Sequence, residues 1–394
     1  MKYLLFTALA LFSFTLIAGN KTYQAIDTNG NVLFQIEAEF MSGFSDGFAS
    51  IQQLNLVNNA WVRGQGYINQ KGEVVIPCTY KKARDFVDGR AWVQSKNGNW
   101  HLIDKKGTQI TSKHYEKVGP ILEGYSDRIA VYENGLMGWI DRDGNEVIPC
   151  QYLGGATFDR QFGLACVTNP GGAESYGFIN KQGDVVLPFK YIQAGPSSFE
   201  NGLCRVNVNG KTVLINEKGE IQFNANYRSV QNYSHGLIAV ATKPNRSGWG
   251  YCNLENDLIV PAIYDHATTI NTDGYGIIEL NDNKGLVDAE GTIVLELKYE
   301  TIYADVTEDG YICGVHHTEE VTSLSKTPKD YFDAQLTPID VGNATLLPAN
   351  GTSRIPFRED GKAGYMNRDF KIVIPATYKK ANAFSNGIAI VQLK

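Results

Sequence analysis

The sequence predicts an all-β fold of about ten small antiparallel units, and three observations carry that prediction. The first is a recurring block. Gly66-Tyr-Ile-Asn-Gln-Lys-Gly-Glu-Val-Val-Ile-Pro-Cys-Thr-Tyr80 returns as Gly138-Trp-Ile-Asp-Arg-Asp-Gly-Asn-Glu-Val-Ile-Pro-Cys-Gln-Tyr152, as Gly177-Phe-Ile-Asn-Lys-Gln-Gly-Asp-Val-Val-Leu-Pro-Phe-Lys-Tyr191, and again from Gly364 to Tyr378. The second is its spacing. The turn glycine falls at Gly72, Gly107, Gly144, Gly183 and Gly219, in steps of 35, 37, 39 and 36, then Asn256 takes its place before Gly291. The third is composition: 40 Gly and 21 Tyr in 394 residues favour turns and strands over helices.

Within a unit the elements can be justified in order. Tyr67-Ile68-Asn69 is a first strand, the turn Asn69-Gln-Lys-Gly72 reverses the chain, and Glu73-Val-Val-Ile76 returns as the second strand of a hairpin. Pro77 is expected to end that strand, because it has no amide hydrogen for a ladder. After a loop bearing Tyr80 and Phe86, Asp88-Gly89 opens a third strand, Arg90-Ala-Trp-Val-Gln94, with Ala91 and Val93 on one face and Trp92 on the other. Asn97-Gly98 then turns the chain into the next unit, so the whole reads as one antiparallel meander.

The expected architecture is an open curved array of three-stranded units, with a closed propeller-like ring as the alternative. A propeller commonly splits one blade between the chain ends. Here the pattern starts in phase at Ala25-Ile-Asp-Thr-Asn-Gly30 and stops after a third strand at Phe384-Ser-Asn-Gly-Ile-Ala-Ile-Val-Gln-Leu-Lys394, which reads as complete units at both ends. The pattern blurs over residues 303–359, a degenerate stretch.

Residues 1–19 read as a signal peptide: Lys2, an apolar run over residues 3–18, and a small-residue exit at Ala18-Gly19. The mature chain is then residues 20–394, with no further stretch apolar enough to span a bilayer, and the protein is expected in the periplasm, at the cell surface or outside the cell. A net charge of −6 and only paired lysines, such as Lys81-Lys82, argue against nucleic acid as a partner.

Six cysteines, Cys78, Cys150, Cys166, Cys204, Cys252 and Cys313, could pair in an exported protein. Their positions favour small buried hydrophobes instead. Cys78 and Cys150 hold the same place in units that are not neighbours, and Cys204 lies one residue off the strand position of Cys166 and Cys313, facing the opposite side.

Candidate chemistry is sparse. Asp141-x-Asp143-Gly144 resembles the start of a calcium loop but lacks the further oxygen ligands, so its acids are assigned to local turn hydrogen bonds. His316-His317 beside Glu319-Glu320 is the one histidine cluster, and on a strand its neighbours would face opposite sides. No nucleophile-elbow, zinc-protease or phosphate-loop motif occurs, so no catalytic, cofactor-binding or metal residues are assigned. Tyr80, Tyr115, Tyr152, Tyr191, Tyr227, Tyr264, Tyr299 and Tyr378 recur once per unit and are read as packing residues with hydroxyls bonded at a rim.

The pattern resembles the WG-repeat (KWG-repeat) proteins, whose unit runs Trp-Gly-Tyr/Phe-Ile-Asp, two polar residues, Gly, an apolar run to Ile-Pro, an aromatic, then Phe-x-x-Gly-x-Ala-x-Val. Trp249-Gly250-Tyr251 is the full copy of the name-giving dipeptide; Trp100 is followed by His101, and elsewhere Gln65, Met137, Tyr176, Thr212, Lys284 and Ala363 hold the tryptophan's place. The resemblance implies a bacterial, exported repeat array that binds or assembles. From it and the absent motifs, the expected function is non-enzymatic binding or scaffolding of a protein or glycan partner at the cell envelope, without a cofactor. The alternative is an enzyme, a hydrolase with its site in the degenerate segment around His316, His317 and Glu319.

Overall fold

A computed structural model describes residues 20–393 apart from 58–59, 123–126, 170–175, 195–198, 225, 245–246 and 319–326. The residues assigned to a signal peptide lie outside this set, as does Glu319. The described residues form ten antiparallel sheets, nine of four strands and one of three, with a single helical turn among them at Val306–Asp309.

Blades are numbered here along the chain. Blade 1 is Phe40–Met41, Phe48–Val57, Ala60–Asn69 and Val74–Tyr80. Blade 2 is Lys82–Ala83, Arg90–Gln94 and Trp100–Asp104; blade 3 runs from Lys117–Val118 to Glu146–Tyr152, blade 4 from Gly154–Gly155 to Val185–Tyr191, and blade 5 from Gln193–Ala194 to Ile221–Phe223. Blade 6 runs from Ser229–Ser234 to Leu258–Tyr264, blade 7 from His266–Ala267 to Ile293–Tyr299, blade 8 from Thr301–Tyr303 to Pro338–Ile339, and blade 9 from Thr345–Leu346 to Ile372–Tyr378. Blade 10 combines the two ends of the chain: Lys380–Ala381 and Ile388–Gln392 pair with Lys21–Asp27, which pairs with Val32–Ala38. The register across that join is Tyr23 opposite Gln392 and Ile26 opposite Ala389.

The open array is therefore corrected to its stated alternative, a closed ring. What looked like a complete unit at each end is half a blade at each end. The strand Arg90–Gln94 pairs with Trp100–Asp104, so the third strand read from sequence belongs to the following blade. A unit read in that phase looks whole wherever the chain is cut.

Two further corrections concern strands. Nine of the ten blades carry an additional two- or three-residue first strand, such as Lys82–Ala83, which lies in the stretch read as a loop and is too short to show alternation; in blade 6 it is the six-residue Ser229–Ser234. Pro77 does not end its strand. Val74–Tyr80 runs through it on a bulge, where Tyr67 pairs with Ile76 but Gln65 pairs with Tyr80, so the proline sits where the ladder has no bond to lose.

The core is divided into ten clusters, one for each pair of neighbouring blades including 9 with 10 and 10 with 1. Both faces of each blade are consequently buried. Ala91 and Val93 enter the cluster shared with blade 1, while Trp92 enters the one shared with blade 3. That is how a strand reading Ala-Trp-Val can be apolar on both sides.

The ring also changes the cysteine argument. Opposite faces of successive blades meet, so Cys166 of blade 4 and Cys204 of blade 5 share one cluster instead of lying apart. None of the six cysteines is joined in a disulfide; five of them are buried and Cys150 is half-buried.

Candidate functional site

Antiparallel order places the loops. In each blade the link between the first and second strands and the turn between the third and fourth emerge on one face of the ring. The link between the second and third strands, and the passage to the next blade, emerge on the other.

The first of these faces is tied down by repeated contacts. Each hairpin turn is closed by its own Asp or Asn: Asn69 Oδ1 accepts from the amides of Lys71 and Glu73 at 2.9 and 3.0 Å, and Asp141 Oδ1 accepts from Asp143 and Asn145 at 2.9 and 2.8 Å. Asp141 Oδ2 takes the Asn145 side chain at 2.9 Å, so the acid in the calcium-like sequence is engaged with its own turn. The turn glycine packs on the fourth strand of the preceding blade, as Gly107 does on Ile76. Arginines then strap successive blades: Arg90 Nε donates to Arg142 O at 3.0 Å, Arg128 Nε to Lys181 O at 2.8 Å and Arg354 Nε to Thr28 O at 3.2 Å.

In blades 8 and 9 the turn glycine is replaced by Leu336 (φ 59°) and Phe370 (φ 57°), a backbone region that side chains rarely adopt. Both fill apolar space. Leu336 packs against the core between blades 7 and 8, and Phe370 of blade 9 packs with Ile339 against the core between blades 8 and 9, where the fourth strand of blade 8 is only Pro338–Ile339 and lacks the usual isoleucine before proline. Between these turns lies a cleft of about 660 Å³ whose lining includes Asp333, Asp340, Arg368, Asp369 and Lys371.

The second face carries the connections that vary most, and the histidine cluster lies there. His316 Nε2 is 3.0 Å from Asp330 Oδ2, and Tyr299 of blade 7 donates its hydroxyl to the same oxygen at 2.7 Å. The Tyr299 and His316 rings lie 5.1 Å apart, with Lys298 Nζ 4.0 Å from the carboxylate. Burial would raise the Asp330 pKa, but the bonds from Tyr299 and His316 outweigh it and hold the group below the ordinary carboxylate range. The structure thus brings His316 to Asp330, fourteen residues downstream, and leaves His317 exposed. Asp330 was missed from sequence because its partner lies across a long connection. A histidine oriented by a carboxylate can serve as a base, yet here the three groups also clasp blade 7 to blade 8. Among the described residues no group of three His, Cys, Asp or Glu side chains is placed to hold a metal ion.

The recurrent tyrosines are packing residues, as their spacing suggested: Tyr115, Tyr191 and Tyr299 are buried. Their hydroxyls do not share one rim pattern: Tyr299 donates to Asp330, whereas Tyr191 Oη is buried without a hydrogen-bond partner. The regular hydroxyl bonds belong to another row. Tyr67, Tyr251 and Tyr365 donate to the carbonyls of Arg84, Thr268 and Asn382 in the following blade, at 2.6, 2.7 and 2.7 Å.

The name-giving tryptophan position is a packing site too. Trp249 is buried with its ring 5.6 Å from His266, and the Arg84 guanidinium lies 4.5 Å over the Trp100 ring. The glycine after it has a steric role. A Cβ on Gly250 would stand 2.4 Å from Val260 O, and one on Gly66 2.4 Å from Ile76 O, because the bulge at the proline brings the fourth strand against the third.

These features define the protein first as a ten-bladed β-propeller closed by a blade shared between its chain ends. The chain belongs to the WG containing repeat family, whose sequence profile matches residues 25–56, 66–100, 137–167, 176–211, 249–283 and 364–394, just over half of its length. No curated protein matches it. Among solved structures it is similar to that titled a eukaryotic initiation factor, at 8% identity and a TM-score of 0.46, covering 82% of this chain and 95% of that one. It is also similar to BamB from Moraxella catarrhalis, at 14% identity and a TM-score of 0.33, covering 66% of this chain and 84% of that one.

Proposed function

We propose that this protein is an exported, non-enzymatic binding or scaffolding module of the bacterial cell envelope, which presents one face of its ring to a protein or glycan partner. The observation that carries the reading is the difference between the two faces. Turn caps and arginine straps occupy one of them, whereas the other bears connections that change in length and chemistry from blade to blade. Loops that vary on a rigid scaffold are the usual place for recognition. Export rests on the sequence of residues 1–19 alone.

The test is affinity capture from a cell-envelope extract, with retained proteins and glycans identified by mass spectrometry. A partner that is displaced by untagged protein supports the proposal. Retention of nothing that competes would count against it.

One observation favours the rival reading of a hydrolase in the segment 303–359: His316 is oriented by Asp330. Turnover of any ester, amide or glycoside substrate that disappears in His316→Ala, with the fold intact, would decide for it.

A further inference from the structure

We infer that the cleft between blades 5 and 6 is a binding site for an acidic sugar chain, one bearing carboxylates. The inference rests on the binding reading above and gives it a place and a ligand class.

The cleft is a gap in a ladder shared by seven of the ten blades; blades 8 and 10 have no tyrosine at the pairing position, whereas blade 5 keeps its tyrosine but not the pair. At the head of the third strand, the residue in the tryptophan position pairs with the tyrosine fifteen residues later: Gln65 with Tyr80, Trp100 with Tyr115, Met137 with Tyr152, Tyr176 with Tyr191, Trp249 with Tyr264, Lys284 with Tyr299 and Ala363 with Tyr378. In blade 5 these two positions are Thr212 and Tyr227. There the fourth strand is only Ile221–Phe223, its pairing ends at Leu214 with Phe223, and Tyr227 lies outside any strand. With a threonine for a tryptophan and no fourth strand beside it, Thr212 and Tyr227 instead line an open cleft of about 500 Å³.

The chemistry of the walls is specific. Lys211 and Arg228 are exposed cations, Asn226 offers an amide, the Thr242 hydroxyl donates to Gly248 O at 3.1 Å and keeps its lone pairs as acceptors, and Tyr227 is half-buried with one ring face stacked on Phe223. Lys211 Nζ is held by Asn226 Oδ1 at 3.0 Å, which fixes the ammonium at the rim. No acidic residue is among the described lining residues, in a chain whose net charge is −6. Two cations without a carboxylate select an anion, and a guanidinium suits a planar carboxylate. The flanking hydroxyl, amide and aromatic groups suit the hydroxyls and apolar faces of a sugar ring.

The experiment is calorimetric titration of the protein with three probes: tetramers of galacturonate, of mannuronate and of glucuronate. The methyl ester of the binding tetramer and inorganic sulfate serve as comparisons. Saturable binding of at least one acid tetramer, weakened about tenfold or more by Arg228→Ala and by Thr212→Trp, is the expected result. Thr212→Trp restores the family's residue and fills the gap, while Arg228→Ala alters an exposed side chain, so the two variants fail for different reasons if they fail to fold. Binding of none of the three tetramers overturns the inference. So does equal binding of the methyl ester, or equal binding of sulfate alone, which would mark an anion site without sugar recognition. If envelope capture yields the same partner with wild type and Thr212→Trp, the binding reading stands and this cleft is not its site.

Discussion

The hydroxyl of Tyr251 donates to the carbonyl of Thr268 at 2.7 Å, a bond between blade 6 and blade 7 that recurs from Tyr67 to Arg84 and from Tyr365 to Asn382, each time with a sequence separation of 17. The Tyr251 ring is fully buried, so removing the hydroxyl leaves a carbonyl without its donor while the packing is nearly unchanged. Tyr251→Phe is expected to lower stability by about 1–2 kcal/mol. Urea unfolding of the single variant and of Tyr67→Phe with Tyr251→Phe would measure it. The two sites lie in different interfaces, so the losses should add; no loss in either variant would remove the bond from the list of forces holding the blades together.

Three glycines separate two demands that glycine meets. A Cβ on Gly250 collides with the Val260 carbonyl, so Gly250→Ala should cost about 3 kcal/mol or more, or abolish folding. Gly236 has open space but φ +85°, and Gly236→Ala should cost about 1 kcal/mol. Gly43 has neither constraint, and Gly43→Ala should lie within about 0.5 kcal/mol of wild type. Thermal melts of the three variants give the order, and any other order contradicts the bulge as the reason for the repeat's glycine.

The units, their turns and their burial pattern were legible because they are local. An Asp or Asn immediately before the polar pair and a glycine after it specify the hairpin within five positions, as Asn69 does through its bonds to Lys71 and Glu73. Ring closure was not legible, since it depends on Tyr23 meeting Gln392, and the phase of a repeat does not say which strand begins a blade. The same blindness placed Cys166 and Cys204 on opposite sides when the ring brings those sides together. Of the site, His316 stood out by type, but Asp330 did not, and the significance of Thr212 emerged only from the missing pair to Tyr227. Departures from a motif are visible in sequence; the space they open is not.

Burial predicts an alkaline limit to stability. It pushes the Cys166 thiol up to about 12 and those of Cys252 and Cys313 up to about 11, from an ordinary value of 9.0, and it raises the buried Tyr251 hydroxyl from 10.0 as well. These groups keep their protons in the folded state after the unfolded chain has begun to lose them. Their stabilising contribution is full below the unfolded value and is lost as pH rises through the folded one. The urea midpoint should therefore hold steady to about pH 9 and fall steeply between about pH 9 and 11. Replacing Cys252 and Cys313 by valine should blunt the first part of that fall. In native protein near neutral pH, a thiol reagent should reach Cys150, the half-buried one, well before the other five. A flat profile across that range, or equal reactivity of all six thiols, would contradict the burial on which the prediction rests.

Closure by a shared blade makes the last strands essential to both ends of the chain. Ile390 packs in the core between blades 10 and 1, whereas Ala389 and Val391 pack in the core between blades 9 and 10. Removing residues 380–394 would strip two strands from blade 10 and uncover Ala25 and Ile26, which are fully buried. An open array would lose only part of a terminal unit by the same cut. In the ring the truncated protein should melt at least about 10 °C lower, or aggregate through the exposed edge of Lys21–Asp27. A peptide of residues 379–394 added in trans should restore the melting temperature by strand addition, because the register from Tyr23 with Gln392 to Asp27 with Ile388 provides a continuous ladder for it. Full stability of the truncated chain without the peptide would mean that the two ends do not close the ring in solution.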